Sequence, residues 1–156
     1  DAVTGLYNHR YFREQLTPRG IITETFESAI TGDKLKDFHS NIIDATHRAI
    51  KETTGQPGVV TCRFTHVYPD GPAPYFSYHA VGDKTRMVDQ CWRIKRIASD
   101  VLIKNGGTIT HHHAVGRDHR TWYDKQRPEL FAKAFRAAKK ALDPKGMLNP
   151  GVLIDP

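Results

Sequence analysis

The stretch that decides the fold is Val59-Val-Thr-Cys-Arg-Phe-Thr-His-Val-Tyr68, then Pro69-Asp-Gly-Pro72, then Pro74-Tyr-Phe-Ser-Tyr-His-Ala-Val81. Its two outer segments are rich in β-branched and aromatic residues, which are typical of strands. Proline, aspartate and glycine between them favour a tight turn. The stretch therefore predicts a β-hairpin with strands over residues 59–68 and 73–81.

A third strand and two helices extend this hairpin. Residues 20–30 alternate in polarity and are rich in β-branched side chains, which predicts a strand. Residues 33–53 and 84–105 each carry apolar residues at steps of three and four, which predicts two amphipathic helices. Their apolar positions are Leu35, Phe38, Ile42, Ala45 and Ala49 in the first helix, and Met87, Cys91, Ile94, Ala98 and Val101 in the second.

The order of these elements favours one fold class. With a short strand predicted at Thr108–Thr110, the order is strand, helix, strand, strand, helix, strand. This order predicts a single α+β domain with a ferredoxin-like antiparallel sheet and both helices on one face. A helical tail follows Pro128, with apolar residues at Phe131, Phe135, Ala138 and Leu142.

Composition excludes several classes of protein. The chain has 156 residues, and 23 Lys and Arg against 17 Asp and Glu give a net charge of +6. A hydrophobic fraction of 38% is enough for a core and argues against disorder. The basic residues are scattered among acids, so no nucleic-acid partner is predicted. Cys62 and Cys91 form no disulfide framework, which favours the cytoplasm.

Three consecutive histidines are the most conspicuous chemical feature. Extended backbone would place His111 and His113 on one side of the chain and His112 on the other. Zinc is one interpretation, with Asp118 or His119 as a third ligand. The other is a loop whose imidazoles act as acids, bases or hydrogen-bond donors on a bound organic group. We predict the second and assign no metal ligands.

Tyr75 and two arginines are the remaining candidates. Tyr75 can reach the same side of the predicted sheet as the histidines, where a phenol could act as a general acid or base. Packing beside other aromatic residues is the alternative. Arg13 and Arg63 could each clamp an anionic group with a planar fork, or form surface ion pairs.

The run Gly106-Gly-Thr-Ile-Thr-His-His-His-Ala-Val-Gly116 resembles the histidine loop of the alkylglycerone-phosphate synthase (alkyldihydroxyacetonephosphate synthase) family. That family belongs to the vanillyl-alcohol oxidase/p-cresol methylhydroxylase class of FAD-linked oxidases. Thr61-Cys-Arg-Phe-Thr65 with Tyr75 resembles its Thr-Cys-Arg-x-Thr and catalytic-tyrosine strands, and Leu148-Asn-Pro-Gly151 its closing turn. Three histidines, where hydroxy-acid oxidases carry Gly-Glu-His-Gly, favour the ether-lipid branch.

The resemblance implies a function for the whole enzyme. Residues 1–156 would be the C-terminal substrate or cap domain of an FAD-dependent enzyme. That enzyme exchanges the acyl group of acyl-dihydroxyacetone phosphate for a fatty alcohol, without net redox change. FAD is expected on an upstream FAD-binding domain, because no Gly-x-Gly-x-x-Gly run occurs here. This fragment is predicted neither to hold FAD nor to turn over alone.

The expected site combines residue chemistry with the resemblance. Tyr75 and the histidines are expected to converge on one solvent-open concave surface, with Arg13 near enough to neutralise an anion there. The predicted catalytic groups are Tyr75, His111, His112 and His113; the predicted substrate-binding groups are Arg13 and Arg63; the predicted flavin-facing groups are the three histidines and Asn149.

Two other functions stay open. One is an FAD-linked oxidase or dehydrogenase that acts on a hydroxy acid or alcohol. The other is a stand-alone ligand- or metal-binding domain centred on the histidines. A homodimer and a peripheral contact with a membrane are also left open.

Overall fold

The structure is a computed structural model that describes residues 9–155, with side chains from Arg13 onward. Two short 3₁₀ turns, at Thr17–Arg19 and Gly32–Lys34, accompany five helices and three strands in this part of the chain. In chain order the elements are α1 (His9–Leu16), β1 (Ile21–Glu27), α2 (Leu35–Thr54), β2 (Gly58–Tyr68), β3 (Gly71–Val81), α3 (Met87–Lys104), α4 (Arg117–Gln126) and α5 (Glu129–Leu142).

The three strands form one antiparallel sheet in the order β1-β3-β2. The predicted hairpin is confirmed as β2–β3, and β3 is the central strand. Tyr75 on β3 lies opposite Glu27 on β1 and opposite Arg63 on β2. Since directly opposed residues project to the same face of a sheet, this register brings the three side chains together.

One face of the sheet packs on α2 and α3, which confirms the prediction of helices on a single face. Phe76 and Tyr78 of β3 point into this core and are fully buried. The ring of Phe76 stacks on Phe26 of β1 with centroids 5.1 Å apart. The side chains that alternate with Phe76 and Tyr78 along β3 project from the opposite face of the sheet, which no helix of the described chain covers.

The predicted fourth strand at Thr108–Thr110 is wrong. This segment returns to the end of β1, where a fourth strand would begin, but it is irregular. The Ser28 hydroxyl donates to Thr108 O at 2.7 Å, and the Thr108 hydroxyl accepts from Ala29 N at 2.9 Å. The two hydroxyl groups thus bind Thr108 O and Ala29 N, which a strand ladder would pair with backbone groups. Only one backbone hydrogen bond, from Thr108 N to Ala29 O, joins the segments here.

The two helices that follow α3 contribute few buried residues. α4 was not predicted because it has no apolar stripe; only Trp122 is buried, and its indole N–H donates to Asp100 Oδ1 at 2.7 Å. The predicted tail helix is confirmed as α5, but its apolar stripe is largely exposed, with Phe131 at 49% and Leu142 at 85%. Of the helices in the described residues, none is both long and apolar enough to cross a membrane.

The stacked core phenylalanines give a stability prediction. We expect Phe76→Ala to lower the free energy of unfolding by about 3–5 kcal/mol, because a fully buried ring leaves a cavity. Urea unfolding followed by circular dichroism would measure the loss. Phe64→Ala is the matched control, since Phe64 is half exposed on the adjacent strand and should cost far less. Equal losses in the two variants would contradict this account of the core.

Candidate functional site

The histidine loop is built around one buried carboxylate. Glu27 is the last residue of β1, and its side chain is only 1% exposed. Its Oε1 accepts hydrogen bonds from the Thr110 hydroxyl at 2.9 Å and from the backbone N–H groups of His111 (2.9 Å), His112 (2.6 Å) and His113 (2.5 Å). Four successive residues therefore wrap around a single oxygen atom.

These hydrogen bonds decide the charge of Glu27. Burial by itself raises the pKa of this carboxyl group. The donated hydrogen bonds from the backbone of the three histidines and from the Thr110 hydroxyl outweigh burial and lower the pKa to about 2. Glu27 is thus a buried anion at neutral pH, directly beneath the loop.

The second carboxylate oxygen faces an imidazole. Glu27 Oε2 is buried and makes no hydrogen bond of normal geometry within the described chain. His112 Nδ1 lies 2.5 Å from it, and His113 Nδ1 lies 3.7 Å from Oε1. Burial lowers the pKa of His113 below its ordinary value, and the Glu27 charge opposes this shift only in part. The loop therefore presents a neutral imidazole at His113 near pH 7.

Tyr75 lies against this loop on the open face of the sheet. Its ring stacks on His112 with centroids 6.2 Å apart, and stands perpendicular to His113 at 5.5 Å. The Arg63 guanidinium covers the ring at 4.7 Å from its centroid. The Tyr75 hydroxyl donates to Thr25 Oγ1 at 3.2 Å. The structure thus brings together Tyr75, Arg63 and the histidine loop, as the sequence predicted for Tyr75 and the loop.

Two further side chains, which the sequence analysis did not assign to the site, complete the cluster. The Tyr68 hydroxyl lies 3.0 Å from His111 Nε2, and the His66 ring lies 5.0 Å from the His111 ring. A β-bulge between Phe64 and His66 shifts the register of β2 by one residue. Because side chains alternate along a strand, this extra residue moves His66 and Tyr68 onto the same face as Arg63.

The other predicted residues lie elsewhere. The Arg13 guanidinium pairs with Glu24 Oε2 at 2.9 Å, and Glu24 is on the face of β1 that packs on the helices. Among the described residues, no contact joins Arg13 to Tyr75 or to the loop. Asn149 is exposed in a left-handed turn (φ 48°) that Arg117, at the start of α4, holds through Pro150 O.

Two groups within the cluster have donor atoms close enough to share a metal ion. One is His66, His111 and His112; the other is Glu27, His112 and His113. Within each group the donor atoms lie within 4.8 Å of one another. The same imidazoles are also positioned for hydrogen bonding to a flat organic group, because His112 and His113 are about two-fifths exposed.

Comparison with known proteins identifies the family. Residues 4–153 match the family model for the C-terminal domain of FAD linked oxidases. The chain belongs to this family. An alkyldihydroxyacetonephosphate synthase from Caenorhabditis elegans is 30% identical over 163 residues, which cover 99% of the chain and 27% of that protein. An FAD-linked oxidoreductase, YgcU, from Escherichia coli K12 is 28% identical over 93 residues, which cover 57% of the chain and 19% of that protein.

The FAD-linked oxidase domain also shares its fold with a solved structure. A structure of alkyldihydroxyacetonephosphate synthase superposes with a TM-score of 0.66 at 20% identity, covering 92% of the chain and 23% of that protein. The chain spans about a quarter of the length of the curated synthases it matches. The α+β fold of the FAD-linked oxidase C-terminal domain is therefore established, and the activity of the whole enzyme is a separate question.

The buried Glu27 anion gives a pH-dependent prediction. Its pKa is about 2 in the folded state against an ordinary 4.5, so its contribution to stability is complete above pH 4.5 and is lost as the pH falls to about 2. We expect wild type to be more stable than Glu27→Gln by about 3 kcal/mol at pH 6, with the difference closing by pH 2.

Urea unfolding at pH 6, 4 and 2 would measure this difference. Glu52→Gln is the matched control, because Glu52 is an exposed acid on α2 and its substitution should change stability little. A constant difference between wild type and Glu27→Gln across this range would contradict the account of Glu27 as a buried anion.

Proposed function

We propose that this chain is the substrate-side domain of an FAD-dependent, alkylglycerone-phosphate synthase-like enzyme. The reaction is the exchange of the acyl group of acyl-dihydroxyacetone phosphate for a fatty alcohol. The observation that carries the proposal is the convergence of Tyr75, Arg63 and the three histidines on a solvent-open face. The synthase relatives, which match nearly the whole chain, support it.

The exposed side of the cluster suits a flat, partly polar ring system. Tyr68, Tyr75 and the histidines offer aromatic faces and hydrogen-bonding nitrogens, and the backbone beneath them is held by Glu27. In the proposed enzyme FAD would be held by an upstream domain and would supply the ring that activates the substrate carbon whose acyl group is replaced by the alcohol. The three histidines would face that ring, and Asn149 would contact it from the closing turn.

Tyr75 is the proposed proton-transfer group. Its hydroxyl is fixed by Thr25, while Arg63 and the two imidazoles hold its ring, so the phenol has a defined direction. A positioned tyrosine can take a proton from the reacting carbon as its phenolate and return it as the phenol. His113, as a neutral imidazole, can accept a hydrogen bond from substrate, and His112 lies directly above the Glu27 anion.

The arginines are the proposed anion-binding groups. The Arg63 guanidinium is exposed beside Tyr75 and has no acidic partner among the described residues, so its planar fork is available for a phosphate. Arg13 is half exposed at the mouth of a separate cleft, where it is already paired with Glu24. We therefore assign the substrate phosphate to Arg63. Arg13, at the separate cleft, is assigned to the end of the substrate away from the phosphate.

The role of Tyr75 can be tested in the enzyme that carries this domain together with its FAD-binding module. Tyr75→Phe should lower turnover by roughly 100-fold or more, because it removes the hydroxyl group that transfers the proton and keeps the aromatic ring. Substrate binding should be largely kept. Steady-state kinetics would separate the two parameters. Tyr123→Phe is the matched control, because Tyr123 lies on α4 against Arg127, away from the loop. Wild-type turnover in Tyr75→Phe would refute the role.

An FAD-linked oxidase or dehydrogenase is the second candidate function, and the match to the oxidoreductase YgcU favours it. The two functions differ in whether hydride leaves the substrate. In the synthase reaction no electrons leave the substrate, so a redox dye should stay oxidised when acyl-dihydroxyacetone phosphate and a fatty alcohol are added. Dye bleaching that depends on a hydroxy acid or an alcohol alone would favour the oxidase.

A further inference from the structure

Helix α4 contacts both segments that the proposed function turns toward the flavin. One is the histidine loop, and the other is the C-terminal segment over residues 148–155, which contains the closing turn with Asn149. α4 itself holds none of the residues assigned to chemistry. Side chains at both of its ends bind the backbone of these two segments.

Gln126, the last residue of α4, binds the first part of the histidine loop. Its Oε1 accepts a hydrogen bond from Ile109 N at 3.1 Å, and its Nε2 donates to Gly107 O at 3.0 Å. These are the two hydrogen bonds that one residue of a neighbouring parallel strand would make. The carboxamide of Gln126 therefore takes the place of a partner strand, and it fixes the backbone two residues before His111.

Arg127, the next residue, binds the C-terminal segment. Its side chain is only 5% exposed, and its Nη1 donates to Leu153 O at 3.1 Å. The same guanidinium pairs with Asp124 at 2.6 Å and covers the Tyr123 ring at 5.4 Å, so its direction is fixed. Leu153 has a left-handed backbone (φ 59°), which side chains other than glycine rarely adopt and which persists where contacts enforce it.

The N-terminal end of α4 also contacts both segments. The Arg117 guanidinium donates to Pro150 O at 3.2 Å, and His119 Nδ1 lies 3.3 Å from Ala114 O. α4 has ten residues and is therefore about 15 Å long. Contacts at both ends of such a helix fix the direction of each segment as well as its position, whereas a single contact would let the segment pivot.

We propose that Gln126 and Arg127 are positioning residues that hold the histidine loop and the closing turn at a fixed distance from each other. The inference rests on the proposed function, in which the imidazoles and Asn149 face the same flavin ring. Each residue acts through the backbone it binds: Gln126 through the loop and Arg127 through the C-terminal segment. Because the two residues are adjacent at one helix end, a displacement of one segment is transmitted to the other.

Amide hydrogen exchange on the 156-residue chain tests the loop contact without flavin. Gln126→Leu should speed the exchange of the amides of Ile109 and of His111–His113 by roughly tenfold, the usual effect of one lost hydrogen bond. Arg127→Lys should have the same effect on the amides of Gly151 and Val152, because lysine keeps the positive charge and loses the planar fork.

A second glutamine provides the matched control. Gln90 also uses both ends of its carboxamide, since its Oε1 accepts from Asp83 N at 2.8 Å and its Nε2 donates to Thr53 O at 3.2 Å. These contacts lie away from the histidine loop. Gln90→Leu should therefore lower global stability and leave the exchange of the loop amides as in wild type. Arg96→Lys, at an exposed position of α3, is the control for Arg127→Lys.

The same variants are then compared in the enzyme with its FAD-binding module. Gln126→Leu and Arg127→Lys should each lower kcat by roughly ten- to a hundredfold, because displaced groups no longer meet the reacting atoms. KM should change little, since the proposed phosphate ligand Arg63 lies on β2 and is not held by α4. The visible absorbance band of the flavin should shift in these two variants and not in Gln90→Leu or Arg96→Lys.

The inference is overturned if Gln126→Leu leaves the exchange of the loop amides as in wild type, or if Gln90→Leu speeds that exchange equally. Wild-type kcat and flavin absorbance in both positioning variants would also overturn it. The exchange measurements need no flavin. Failure of the contacts is therefore distinguishable from failure of the proposed function, which the Tyr75→Phe kinetics test.

Discussion

The Glu27 carboxylate accepts hydrogen bonds from a hydroxyl and three backbone N–H groups of residues 110–113, and the remainder of the candidate site depends on this interaction. Glu27 is the last residue of β1, and its carboxylate holds the backbone of a loop more than eighty residues later in the chain. With its pKa lowered to about 2, Glu27 keeps a negative charge beneath the imidazoles. The same contacts thus fix both the backbone of the loop and its electrostatic environment.

The two faces of the sheet have different surroundings. The face that carries Phe76 and Tyr78 packs on α2 and α3, while the face that carries Tyr75 meets Arg63 and the histidines. Because side chains alternate along β3, adjacent residues lie on opposite faces of the sheet. Substitution of Tyr75 should therefore have little effect on the core.

Local patterns in the sequence were sufficient for the hairpin and both core helices, because periodicity and turn residues act over short distances. The approach of Tyr75 to the histidines was predicted from the fold class and the family resemblance. They did not reveal Glu27 as the anchor of the loop, since its partners are 83–86 residues away. They also placed a strand at 108–110, where hydroxyl groups of Ser28 and Thr108 end the pairing. Only the tertiary structure decided that one bulged residue brings His66 onto the face of the sheet that carries Tyr75. Such features depend on register and long-range packing, which composition and periodicity do not encode.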